Sequence, residues 1–132
     1  MKNLLSHLVP ITILVFLFIT FFQSAVDKLF DFKGNKAWLQ QHFATTILAK
    51  HVPLLLSIVL ILESVTAIGC ILGVIFLLHS GATHFAVFVM LLSCITLLAL
   101  LFGQRVAKDY PGALTITCYF IVAIFGLYVV NQ

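Results

Sequence analysis

The stretch VPLLLSIVLILESVTAIGCILGVIFLL, Val52 to Leu78, decides how this chain folds. A hydrocarbon core about 30 Å thick is crossed by about 20 apolar residues, and this run exceeds that length with Glu63 as its one formally charged residue. Three further runs, Leu4 to Phe22, Phe85 to Phe102 and Leu114 to Val130, approach the same length. Of the 132 residues 63% are hydrophobic and 8% charged, where water-soluble domains carry about a quarter charged residues, so the chain belongs in lipid. The expected fold is an all-α integral membrane protein in one domain, residues 1–132. It is an antiparallel bundle of four transmembrane helices with no internal repeat.

Short connections around Gly81 and from Gly103 to Gly112, with Pro111, make neighbouring helices antiparallel. The connection from Gln23 to His51 is too long for a turn and reads as two pieces. Ser24 to Phe32 extends the first helix beyond the membrane, so that it spans residues 4–32 and breaks at Gly34 and Asn35. In residues 36–49, Trp38, Leu39, His42, Phe43, Thr46 and Ile47 recur at spacings of three and four, with Lys36, Gln40 and Lys50 at the edges or opposite. That stripe predicts a short amphipathic helix on the membrane face or folded against the bundle. Pro53 follows in the first turn of helix two, where its missing N–H costs nothing.

Lys28, Lys33, Lys36 and Lys50 flank the first loop and Arg105 and Lys108 the third, against Lys2 alone on the other side. The positive-inside rule therefore places loops one and three in the cytoplasm and both termini outside. These cations sit between apolar runs rather than in a surface stripe, so they signal topology and no nucleic-acid partner is expected. No small-x-small cleavage site follows Phe22, and the first helix reads as retained.

Glu63 is the sharpest chemical signal. It lies about 16 Å into helix two, close to the midplane, where an isolated carboxylate must face the bundle interior, take a proton or find a partner. Thr66, Ala67, Cys70 and Gly73, with Gly69 adjacent, follow it as a small, weakly polar stripe that lets another helix approach closely. Glu63 is thus either a proton-accepting or ligand-orienting acid, or a buried carboxyl fixing helix register. Thr20, Gln23, Ser24 and Asp27, with Lys28 beside them, form the counterpart on helix one. They line the mouth of a cavity leading to Glu63, or else Asp27, Lys28 and Asp31 mark the water interface while lysine snorkels outward. Arg105, Lys108 and Asp109 reach the same face, completing a charge cluster or forming a solvated turn. The ligand-binding or proton-accepting candidates are therefore Glu63, Thr66, Gln23, Asp27, Lys28 and Arg105.

His7, His42, His51, His79 and His84 are scattered over both sides, with no pair at metal-ligating spacing, so no metal is expected. Cys70, Cys94 and Cys118 lie singly in three runs and read as packing residues. No nucleophile elbow or phosphate loop appears, and no catalytic residue is assigned.

A first helix ending in Asp27-Lys28-Leu29, an amphipathic connection, and a second helix carrying Glu63 before Gly69-Cys-Ile-Leu-Gly73 resemble the DoxX-like family of small four-helix bacterial membrane proteins. Ser24 and Ala25 stand where that family has a Gly before the Lys, and His79 where it has a basic residue after helix two. The resemblance implies the bacterial inner membrane and a link to quinone oxidoreductase or oxidative-stress complexes. A related four-helix architecture, the emopamil-binding sterol isomerases, implies a central cavity for a hydrophobic ligand near membrane acids. Two functions are consistent with this. One is an accessory subunit of an inner-membrane complex, not itself an enzyme, with a membrane-protein partner or a second copy as its contact. The other is a redox or ligand-binding protein with a cavity around Glu63 that takes quinone or another isoprenoid-like lipid.

Overall fold

The computed structural model describes residues 2–47 and 49–131, and it is built from helices: α1 (Lys2–Ser6), α2 (Leu8–Phe30), α3 (Phe32–His42), α4 (Val52–His79), α5 (His84–Val106) and α6 (Tyr110–Val130), with a single 3-10 turn at Ala49–His51. No strand occurs among the described residues. Four helices, α2, α4, α5 and α6, are long and apolar enough to cross a membrane. They form a helical bundle in which α2 packs most extensively on α4 and α5 on α6, while α4 against α5 and α2 against α6 complete the set.

The seams of the bundle follow the small residues. A methyl added at Gly69 would lie 3.1 Å from Val89, and one at Gly73 would lie 3.3 Å from Leu14, so these two glycines let α5 and α2 sit close against α4. Glu63, Thr66, Ala67, Gly69, Cys70 and Gly73 are all buried, as the stripe in the sequence predicts. Leu14, Leu17, Phe21, Leu77, Val89, Met90 and Leu97 fill the rest of the interior. The opposite faces carry exposed Ile61, Ile68, Ile75, Leu91, Leu98, Ile121 and Phe125, the apolar coat that lipid rather than water solvates. Hydroxyls inside bond backward along their own helices, Thr66 to the Leu62 carbonyl at 2.6 Å and Ser93 to that of Val89 at 2.9 Å, so among the described residues no buried hydroxyl is orphaned. Cys70 and Cys94 are buried packing residues; Cys118 is exposed on the outer face.

The ends of the helices depart from the sequence reading. The first helix, expected unbroken over residues 4–32, is interrupted at His7 (φ −123, ψ 31) between α1 and α2, and its far end falls at Asp31, not at Gly34 and Asn35. Asp31 leaves helical geometry (φ −133, ψ 54) and its carboxylate accepts from the Gly34 N–H at 3.3 Å, which caps α3. Asn35 Nδ2 donates to the carbonyls of Asp27 and Asp31 at 3.3 and 2.8 Å, closing the end of α2. These two residues, read as breakers, therefore stitch α2 to α3. The amphipathic helix expected over residues 36–49 begins at Phe32 and ends at His42, and that expected stretch includes Leu48, which lies outside the described residues.

α5 continues past its apolar run through Gly103, Gln104 and Arg105, and α6 begins at Tyr110 with Pro111 in its first turn. Asp109 caps it by accepting from Gly112 N–H at 3.1 Å. Pro53 likewise occupies the first turn of α4. The turn between α4 and α5 passes through Gly81 at φ 74, where a side chain would be strained.

Candidate functional site

Glu63 is 1% exposed on the inner face of α4. Its partner is Lys28 from the last turn of α2, whose Nζ stands 2.8 Å from Glu63 Oε1, with Lys28 18% exposed. The contact has the distance of a hydrogen bond but not its alignment, so Oε1 has a charge partner and no aligned donor. Lys28 Nζ also donates to Ser24 Oγ at 2.6 Å, one helical turn back. An ammonium has three N–H groups, and Ser24 takes one of them as an aligned acceptor.

Lysine near a membrane-helix end commonly extends toward water. Here it folds inward, which follows from helix geometry: side chains leave an α-helix tilted toward its N-terminus, and the N-terminal direction of α2 at Lys28 leads into the bundle. Ser24, four residues earlier on the same ridge, is set to receive it.

A cavity of about 570 Å³ adjoins the pair. Ser24 and Lys28 form one part of its wall, Asn35, Trp38 and Leu39 of α3 another, and the first turns of α4 contribute Val52, Leu55, Leu56, Val59 and Leu62. Ala99, Leu100, Gly103 and Gln104 of α5, with Ile116 of α6 and Phe43, enclose the rest. The lining is largely aliphatic and aromatic, with a few polar groups converging at Lys28, Ser24, Asn35 and Gln104, the general form of a site for a small amphiphile. Trp38 stacks on His42 with ring centroids 4.6 Å apart, and His42 Nε2 stands 3.6 Å from Asp109 Oδ2, beyond hydrogen-bond distance.

The six candidates do not all meet. Glu63 and Lys28 do. Thr66 is buried one turn beyond Glu63, but its hydroxyl is engaged with Thr96 Oγ1 at 3.3 Å in the bundle interior, away from the cavity wall. Gln23 and Asp27, expected at the cavity mouth, are exposed. They precede Ser24 and Lys28 by one residue each, and one residue is about 100° around a helix, so the two pairs occupy different ridges. Arg105 is also exposed and lies over the Tyr110 ring at 4.9 Å from its centroid, forming no part of a charge cluster with Lys28. Asn35, Trp38 and Gln104 belong to the wall without having been singled out as a site. The stripe on α3 carried a signal for Trp38; Gln104 falls in a stretch read as loop and carried none. Among the described residues no three His, Cys, Asp or Glu side chains converge as metal ligands.

No protein family, no curated protein and no solved structure matches this chain.

Proposed function

We propose that the chain is a DoxX-like, multi-pass protein of the bacterial inner membrane that holds a hydrophobic, isoprenoid-like lipid, with quinone as a candidate, in the cavity beside Lys28 and Glu63. The observation that carries this reading is the coincidence of a largely apolar cavity of about 570 Å³ with Lys28, half of a buried ion pair, on its wall. A register-fixing pair has no need of a cavity at its side, and a bundle built only for helix contact would close it.

The arrangement proposed around it is an antiparallel four-helix bundle. Leu14 faces Gly73 while Lys28 reaches Glu63, so residue numbers rise along α2 as they fall along α4, which supports that arrangement. α3 is the interfacial helix, its Trp38 and Leu39 turned to the cavity and its Lys33 exposed. Lys33, Lys50, Arg105 and Lys108 are exposed on the loops assigned to the cytoplasm, so the ligand site opens near the cytoplasmic leaflet.

Mass spectrometry of lipid extracts from the purified protein tests the reading, with Gly103→Leu as the blocking variant. A Cβ at Gly103, on the cavity wall, meets nothing nearer than Phe43 at 3.8 Å, so the backbone there accepts a side chain. The wild type should carry a near-stoichiometric neutral lipid that Gly103→Leu loses. A lipid-free wild type that instead brings down a reproducible membrane polypeptide would replace this reading with that of an accessory subunit.

A further inference from the structure

The charge balance at the cavity wall selects among lipids, and this inference rests on the ligand-binding reading above. Lys28 is the one cation lining the cavity among the described residues, and Glu63 already neutralises it at 2.8 Å. Glu63 is 1% exposed, and Leu62 and Val59 of the same helix present an apolar cavity wall, so its charge is balanced by Lys28 rather than by water. An anionic headgroup arriving at Lys28 would place two negative charges against one positive in an apolar wall, and like charges brought together there oppose binding strongly. A cationic headgroup meets Lys28 first and is repelled. A neutral carbonyl oxygen meets neither penalty. It accepts from an N–H of Lys28 that Ser24 does not take, while Gln104 on the same wall offers a further amide donor.

We infer that the site takes a neutral amphiphile headed by a carbonyl oxygen, such as a quinone ring or an ester, with that oxygen on Lys28 Nζ, and that Glu63 is the specificity determinant that turns anionic lipids away. Glu63 acts through Lys28 and is a positioning residue rather than a contact of the ligand. Removing its charge therefore reverses the preference instead of abolishing binding, since the unbalanced ammonium now recruits an anion.

Trp38, the single tryptophan of the chain, lines the cavity and reports occupancy directly. The probes are dibromostearate and its methyl ester, which quench tryptophan and differ only in head charge, titrated into the detergent-solubilised protein at about pH 9, where the acid is ionised. Quenching by partition into the micelle does not saturate, and the component lost in Gly103→Leu is that of the cavity. The wild type is expected to bind the ester roughly tenfold or more tightly than the acid, and Glu63→Gln to bind the acid more tightly than the ester. Decylubiquinone, competing with the ester in the wild type, separates a quinone head from an ester head, and either competes under this proposal. Equal or tighter binding of the acid by the wild type overturns the proposal while leaving the ligand site standing, as does a Glu63→Gln variant with an unchanged preference. Absence of any saturable quenching in the wild type removes the ligand site as well. The wild-type ratio alone decides the matter if Glu63→Gln does not fold.

Discussion

Taking Lys28 and Glu63 apart one at a time, and then together, tests whether the pair is held by mutual neutralisation. At 2.8 Å two unit charges attract by about 6 kcal/mol at an effective dielectric constant of about 20, against a desolvation cost of several kcal/mol for each ion. The net value of the pair is therefore small, whereas the cost of orphaning one member is large. Lys28→Met keeps the stem and leaves a carboxylate that is 1% exposed with no partner, so it should cost about 3–5 kcal/mol. Glu63→Leu should cost less, about 1–2 kcal/mol, because Lys28 is 18% exposed and its ammonium keeps part of its hydration where it stands. The double variant Lys28→Met/Glu63→Leu exchanges an ion pair for apolar contact and should fall within about 1 kcal/mol of the wild type. The cycle then gives a coupling of about 3–8 kcal/mol. Reversible unfolding in mixed micelles, followed by circular dichroism as the denaturing detergent fraction rises, measures all four proteins. A cost below about 1 kcal/mol for Lys28→Met, or a double variant as unstable as the two singles added, would refute the neutralisation argument.

Two further outcomes follow from the packing and the charge pattern. Gly126→Ala should lower stability by about 1–3 kcal/mol in the same assay, since the added methyl would lie 2.8 Å from both Ile13 Cγ2 and Met90 Sδ. In a background with its three cysteines replaced, a membrane-impermeant maleimide applied to spheroplasts should label Asn131→Cys and spare Lys33→Cys, both positions being exposed; the reverse pattern would invert the proposed orientation.

The spans were legible in the sequence because lipid leaves one solution for the backbone: a run long enough to cross must be helical along its whole length. The inner face of α4 was legible too. An acid at the midplane has to be buried, and the small residues at helical spacing after Glu63 say which side of the helix is closed. What the sequence concealed lies at the helix ends, where hydropathy stops discriminating. Gln104 continues α5 into water as readily as it would continue a loop, and only the Asp109 cap shows where the next helix starts. The break at Asp31 was hidden for a related reason. Gly34 and Asn35 are the stronger breakers by type, but the capping carboxylate fixed the boundary three residues earlier. The partner of Glu63 was narrowed to one end of α2 and no further, because choosing Lys28 over Gln23 and Asp27 needs the phase of α2 against α4, which a single uniformly apolar run does not encode.

The cavity itself arises from a mismatch between neighbouring elements. Ala99 and Gly103 are four residues apart on one ridge of α5, the small-residue spacing that ordinarily draws a second membrane helix into contact. On α4 the same kind of spacing does so, with Gly69 and Gly73 closed over by Val89 and Leu14. Beside Ala99 and Gly103, however, stand the polar α3, none of whose residues is buried, and Phe43, which approaches Gly103 no nearer than the 3.8 Å a methyl there would leave. A helix rich in Lys, Asn and Gln cannot sink into an apolar groove, because each of those groups would lose water without gaining a partner. The cap at Asp31 starts this polar helix, whose Trp38 and Leu39 line the cavity without being buried, so the groove is covered without being filled. The residue that meets this space is Lys28, already neutralised, which is why an uncharged head on an apolar body is the occupant we propose.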